Sequence, residues 1–246
     1  MLLVCGSAPG GAAGVWGRSL CINASLHEGA MFDYILRAQS LGWAVVVANP
    51  NINDIQGRRI TGSESPHQHL MTFWKTYLRT AKASKILAVA HSYGAPNMVN
   101  LLKVEPDARE KLAALAFTDG GAFPPGNLLQ EKIPSEEDVA SSPKPSQMSA
   151  LRRSLQGFAA LAPEAFEPAG PEVVQCLERL GRNFRACAKA PGTPLLAYNE
   201  GVCDVSAGHE SHPSTTHSAT EPVFEFLLRG AEGQAQQANE ELRAQL

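Results

Sequence analysis

The chain has 246 residues, 24 of them acidic and 21 basic, with a formal net charge of -3 and 44% hydrophobic residues. That size fits one sizeable α/β domain, and the charge offers no polybasic footprint for nucleic acid. No run approaches the roughly 20 apolar residues that cross a bilayer, so no membrane partner is expected. "MLLVCGS" lacks the charged start and the apolar length of a signal peptide, and five cysteines without C-x-x-C spacing read as reduced thiols. An intracellular protein is expected.

In chain order, "LLVC" predicts a strand at the first residues and "GSAPGGAAG" a loop of small residues from Gly6. "AMFDYILRAQSLG" predicts an amphipathic helix that turns Phe32, Ile35 and Leu36 inward and stops at Gly42. "WAVVVANP" reads as a second buried strand ended by Pro50, and "HQHLMTFWKTYLRTAKA" as a helix with Leu70, Phe73, Trp74 and Tyr77 inward. Ile86 to Ala90 is a short continuous apolar run, as in a strand covered on both faces. It meets the step His91-Ser92-Tyr93-Gly94 and then a helix with Met98, Leu101, Leu102 and Val104 on one face, closed by Pro106. "LAALAFTDGG" reads as a fourth strand.

Residues 120–146 are rich in proline and polar side chains and read as a lid or a partly disordered insertion, with disorder expected around Glu136 to Ser146. Beyond it, "EVVQCLERLGRNFRACAKA" predicts helix, "CDVSAG" a strand and "EPVFEFLLRG" a last helix. The polar tail 231–246, short of apolar anchors, is expected to fray, which leaves residues 1–230 as one domain. Repeated alternation of strand and helix implies a mostly parallel central sheet with right-handed crossovers and helices on both faces. In such sheets ligands bind beyond the carboxyl ends of the strands. Ser92, the loop from Gly6 and Asp119 all fall on that edge.

A serine at a strand-to-helix turn, with small residues two before and two after it (Ala90 and Gly94), has the form of a strained elbow that presents a nucleophile. The plainer alternative is a turn whose serine caps the helix. A nucleophilic serine needs a base, and the base needs a carboxylate to orient it. Asp119 ends the next strand, although an aspartate in "TDGG" also caps turns. "SAGHESHPSTTH" offers His209, His212 and His217 as bases, and spacing does not choose among them. The same three could ligate zinc, but Pro213 opposes the helix that would hold two ligands on one face. No metal or cofactor is expected.

The chain resembles the argonaute-binding-protein-two domain family, an α/β-hydrolase-like domain of RNA-silencing and cotranscriptional regulator proteins. The resemblance rests on the run from "CGSAPGGAAGVWGRS" to "WAVVVANPN", then "HLMTFWKTYL", "VAHSYGA", "LAFTDG", "RNFRACAKAPGTPL" and "DVSAGHESH". It implies Ser92 as elbow serine, Asp119 as the carboxylate and His212 as the histidine. The family's first loop reads His-Gly-Ser-Gly where this chain has Cys5, Gly6, Ser7 and Ala8. The Ser7 and Tyr93 N–H groups would then form the oxyanion site, without the leading histidine's support. Because the chain opens on this strand, an upstream sheet edge of the family is expected to be missing. The resemblance leaves two functions: a serine hydrolase acting on a small acyl substrate, or a non-catalytic module for a protein partner in silencing or chromatin regulation, in the cytoplasm or nucleus.

Overall fold

A computed structural model describes residues 1–7, 12–120, 168–196 and 201–246. The small-residue loop at Ala8 and the stretch expected as lid or disorder beyond Gly120 lie outside the described residues. The strands are β1 (Leu2–Ser7), β2 (Val45–Ala48), a small antiparallel pair β3 (Asp54–Ile55) and β4 (Arg58–Arg59), then β5 (Ile86–Ser92), β6 (Leu112–Thr118), β7 (Gly181–Arg185) and β8 (Cys203–Ser206). Six of them form one sheet in the order β2-β1-β5-β6-β7-β8, and its neighbours pair in parallel. The expected α/β architecture with a parallel central sheet is therefore present.

The longer helices are α1 (Phe32–Ser40), α2 (Pro66–Phe73), α3 (Gly94–Val104), α4 (Pro171–Leu180), α5 (Thr220–Ala231) and α6 (Ala235–Arg243). Helix α3 packs on β1 and β5, and α5 on β5 and β6. Strand β5 is buried from Ile86 through His91, which is why its sequence is continuously apolar rather than alternating. Helix α5 reaches the sheet through Gly230, where a methyl group would sit 2.5 Å from the Ala114 Cβ. Glycine is required there for close approach.

Four sequence expectations are corrected. In α1 the buried face is Tyr34 and Ala38, with Met31 just before the helix, whereas Phe32 is 52% exposed and Leu36 60% exposed. Tyr34 can serve as the anchor because its hydroxyl finds a buried acceptor, the Thr216 carbonyl, at 2.7 Å. After α2 the chain widens into a π-helical turn over Trp74–Leu78. Across this turn Trp74 and Leu78 are buried while Tyr77 is 62% exposed.

The third correction lies at "LERLGRNFR", where the helix stops and β7 begins at Gly181. Gly181 allows the sharp transition because a Cβ there would lie 2.7 Å from the Leu177 carbonyl oxygen. Fourth, the tail expected to fray carries α6, whose Ala235, Ala238, Asn239 and Leu242 are buried. Asn239 Oδ1 accepts hydrogen bonds from Arg182 Nε (3.1 Å) and Nη2 (3.0 Å), and its Nδ2 donates to the Gly181 carbonyl (3.1 Å). Polar pairing at Asn239 joins a narrow apolar stripe of Ala235, Ala238 and Leu242 in docking this helix.

Candidate functional site

Strand β5 ends at Ser92 with φ of 53°, and β6 is followed by Asp119 with φ of 47°. Left-handed backbone is uncommon for residues other than glycine and concentrates where a side chain must be aimed. Ala90 and Gly94 on either side of Ser92 are buried, so strand and helix close around the turn without bulky side chains. The register β1 to β5 pairs Ser7 with Ser92, and β5 to β6 pairs His91 with Thr118. The strand ends thus bring the Ser7 backbone, Ser92 and Asp119 to one edge of the sheet.

His212 arrives from beyond β8 on a short 3-10 turn, His212–Ser214, opened by Pro213 in its first turn. Its Nδ1 lies 2.6 Å from Asp119 Oδ2 and its Nε2 3.0 Å from Ser92 Oγ. A carboxylate oxygen can only accept, so Nδ1 carries the proton and Nε2 is free to accept from the serine hydroxyl. The other Asp119 oxygen, Oδ1, accepts from the Ala186 N–H at 2.9 Å. Burial pushes the Asp119 carboxyl up, but the His212 and Ala186 hydrogen bonds and the charge of His212 outweigh it. The net pKa is lowered, and Asp119 stays ionised.

The turn that carries Asp119 is fixed by β7. Asp119 donates its N–H to the Phe184 carbonyl (2.8 Å), Gly120 donates to Asn183 Oδ1 (3.2 Å), and Asn183 Nδ2 donates to Asp204 Oδ1 (2.8 Å). Sequence reasoning missed Asn183 and Phe184 because it read β7 as helix, and it read the strand of Asp204 without singling that residue out. The available signal was Gly181 directly after "LERL", a helix stop. His91, also missed as a site residue, lies buried beside His212, with the two rings stacked at 4.8 Å.

The remaining residues named from the sequence go elsewhere. His209 Nδ1 accepts the Ser211 N–H at 2.9 Å, and His217 Nδ1 lies 3.9 Å from an Asp33 carboxylate oxygen. Neither is joined to Ser92. Tyr93 heads α3, and its hydroxyl is 3.0 Å from His67 Nε2. Among the described residues no group of three or more His, Cys, Asp and Glu side chains is placed to hold a metal ion. Nor is any described helix long and apolar enough to cross a membrane.

Fold and site together define an α/β protein with a parallel central sheet whose carboxyl edge carries a hydrogen-bonded serine, histidine and aspartate. No family model matches the chain. It is 34% identical over 111 residues to a FAM172 family protein homolog of Caenorhabditis elegans, covering 45% of this chain and 35% of that protein. It is 28% identical over 141 residues to the cotranscriptional regulator ARB2A homolog of Dictyostelium discoideum (44% of this chain, 37% of that one). It is also 28% identical over 161 residues to the cotranscriptional regulator ARB2A of Mus musculus (44% and 39%). Over less than half of its length the chain is similar to ARB2A and FAM172 proteins, which bears out the argonaute-binding-protein-two resemblance. The match spans well under half the length of each relative.

Proposed function

We propose that the protein is a serine hydrolase of the esterase type, acting on a small acyl substrate. The supporting observation is the relay in which Ser92, on a left-handed turn, meets His212 at 3.0 Å and His212 meets Asp119 at 2.6 Å. In this reading Ser92 Oγ attacks the acyl carbon while His212 Nε2 takes its proton. His212 then returns the proton to the leaving group. Water, deprotonated by the same nitrogen, cleaves the acyl-enzyme and restores the serine. Asp119 holds the Nδ1–H tautomer and stabilises the imidazolium. The N–H groups of Ser7 and Tyr93 would receive the developing oxyanion charge, with no cofactor or metal in the scheme.

A fluorophosphonate probe tests this reading. Wild type is expected to label and Ser92→Ala to remain unlabelled; a folded wild type that fails to label ends the hydrolase proposal.

A second reading is favoured by the relatives, two of which are named cotranscriptional regulators. In it the domain is a non-catalytic surface for a protein partner in silencing or chromatin regulation, working in the nucleus or elsewhere inside the cell. The names weigh toward this role more than toward chemistry. Regulation that survives Ser92→Ala unchanged, with no labelling of wild type, would select it.

A further inference from the structure

His91 precedes the serine and is buried, yet no step of the proposed chemistry uses it. Its Nδ1 lies 3.0 Å from the Thr118 carbonyl oxygen, 3.2 Å from Thr118 Oγ1 and 3.1 Å from Thr216 Oγ1. The carbonyl can only accept, so Nδ1 carries the proton. The two threonine hydroxyls are 2.7 Å apart, and Tyr34 donates its hydroxyl to the Thr216 carbonyl at 2.7 Å. Trp16 closes the other side, edge-on at 6.2 Å between ring centroids. The ring is held from several directions and has little freedom to turn.

The His212 ring lies on this one at 4.8 Å, with 28° between the planes. His212 itself sits on a short turn with its side chain 47% exposed. Two hydrogen bonds at the ring edge fix its two nitrogens but leave it able to swing out toward water. A rigid flat surface beneath one face removes that freedom. Burial first, and then the charge of His212, hold the His91 pKa down to about 3. The floor is therefore neutral when His212 takes up a proton, and adds no charge repulsion to the imidazolium.

We infer that His91 is the positioning residue for His212: its pinned ring is the platform that keeps the His212 imidazole in the plane joining Asp119 and Ser92. This rests on the reading of His212 as the base only for its catalytic consequence. The positional claim stands on the ring geometry alone.

The experiment compares His91→Phe, which keeps a flat ring, with His91→Leu, which fills the space without one. The signal is the hydrogen-bonded Nδ1 proton of His212 in proton and nitrogen NMR, assigned by its loss in His212→Ala. His91→Phe is expected to retain this resonance, and His91→Leu to lose it, while both variants melt cooperatively. If either is unfolded, His91→Gln keeps an N–H donor for the Thr118 carbonyl but supplies no flat ring, and the same resonance is expected to broaden. A sharp resonance in His91→Leu, equal loss in His91→Phe, or an unchanged signal in His91→Gln would overturn the inference.

In the labelling assay, His91→Leu is expected to slow the reaction about tenfold or more and His91→Phe less than about threefold, since small misplacements of a base are costly. Absence of labelling in wild type with the NMR pattern intact would remove the hydrolase reading and leave the platform standing.

Discussion

Two polar regions of the molecule differ in what their hydrogen bonds do. At the carboxyl edge, Ser92 and Asp119 sit on left-handed backbone, His212 is half exposed, and each bond aims one side chain at the next. At the docking seam of α6, Asn239 is fully buried and its amide meets Arg182 and the carbonyls of Glu178, Arg179 and Gly181. Arg182 also lies over the Phe226 ring at 4.3 Å. At the seam every hydrogen-bonding atom of the Asn239 amide is used, and Asn239 keeps ordinary helical backbone; the edge keeps left-handed backbone and a serine hydroxyl. On the proposed hydrolase reading, that division separates a structural clamp from a reactive site, and it says which substitutions should harm stability and which should harm only chemistry.

The largest separation is expected from His212→Ala. Labelling should slow by about 10⁵-fold or more, as loss of a triad base does, with a melting temperature close to wild type because the ring is half exposed. Asp119→Asn should slow it by about 10⁴-fold through the wrong histidine tautomer. Stopped-flow or gel-based labelling rates beside thermal melts read both. A large drop in melting temperature for His212→Ala would erase the proposed division.

Acid provides the next test, and it acts through buried histidines rather than through either region's carboxylates alone. Burial, then the nearby Lys103, holds His67 down to about 4, and burial, then His212, holds His91 down to about 3. Below the ordinary histidine value of 6.5 the unfolded chain binds these protons while the folded chain does not. Stability is therefore full above about pH 6.5 and falls as the pH drops, levelling off below the folded values. At pH 4 each histidine should cost about 3 kcal/mol. The lowered Asp119 pKa adds loss of the same sign at the acid end. Equal urea midpoints at pH 7 and pH 4 would contradict the buried neutral state of both rings.

At the seam, Asn239→Leu should cost about 2 kcal/mol, because it strips the Asn239 oxygen from a partly buried guanidinium and leaves the Gly181 carbonyl without its donor. Labelling of the folded variant should match wild type. A shifted urea midpoint at unchanged slope is the expected signature, and a slowed labelling rate in that variant would show that the seam communicates with the edge.

How much of this was legible in sequence differs between the same two regions. Strands β1, β2, β5 and β6 are continuous apolar runs, and the pattern of a small residue, serine and a small residue marks a turn, so the fold and the place of Ser92 and Asp119 could be read directly. Choosing among the three histidines could not, because the direction of a loop is set by packing that spacing does not encode. Strand β7, "GRNFR", hid because its buried residues are Gly181, Asn183 and Phe184, only one of them a large apolar side chain, between two arginines. Helix α6 hid for a related reason: its buried face is two alanines, an asparagine and one leucine, and the asparagine's value depends on an arginine 57 positions away. Patterns built on hydrophobic periodicity detect burial by transfer from water, not burial by polar pairing.

The smallest expected effects belong to the two other histidines of the segment, and they sharpen the site's boundary. His217 Nδ1 stands 3.9 Å from Asp33, too far for a hydrogen bond, and Asp33 is already bonded to His27 at 2.8 Å. His217→Ala should therefore change stability by less than about 0.5 kcal/mol and leave labelling unaltered. His209 differs in one respect, since its Nδ1 accepts the N–H of Ser211, the residue directly before His212. Losing that bond frees one backbone group of an exposed turn, and an exposed N–H is resolvated by water at little cost. A slowing of about threefold is expected for His209→Ala, through a looser approach of His212 rather than through chemistry. The two variants thus rank by their connection to His212, not by their distance along the chain. If His217→Ala abolished labelling while His212→Ala preserved it, the base would be His217, and the 3.0 Å contact between His212 and Ser92 would have no role in proton transfer.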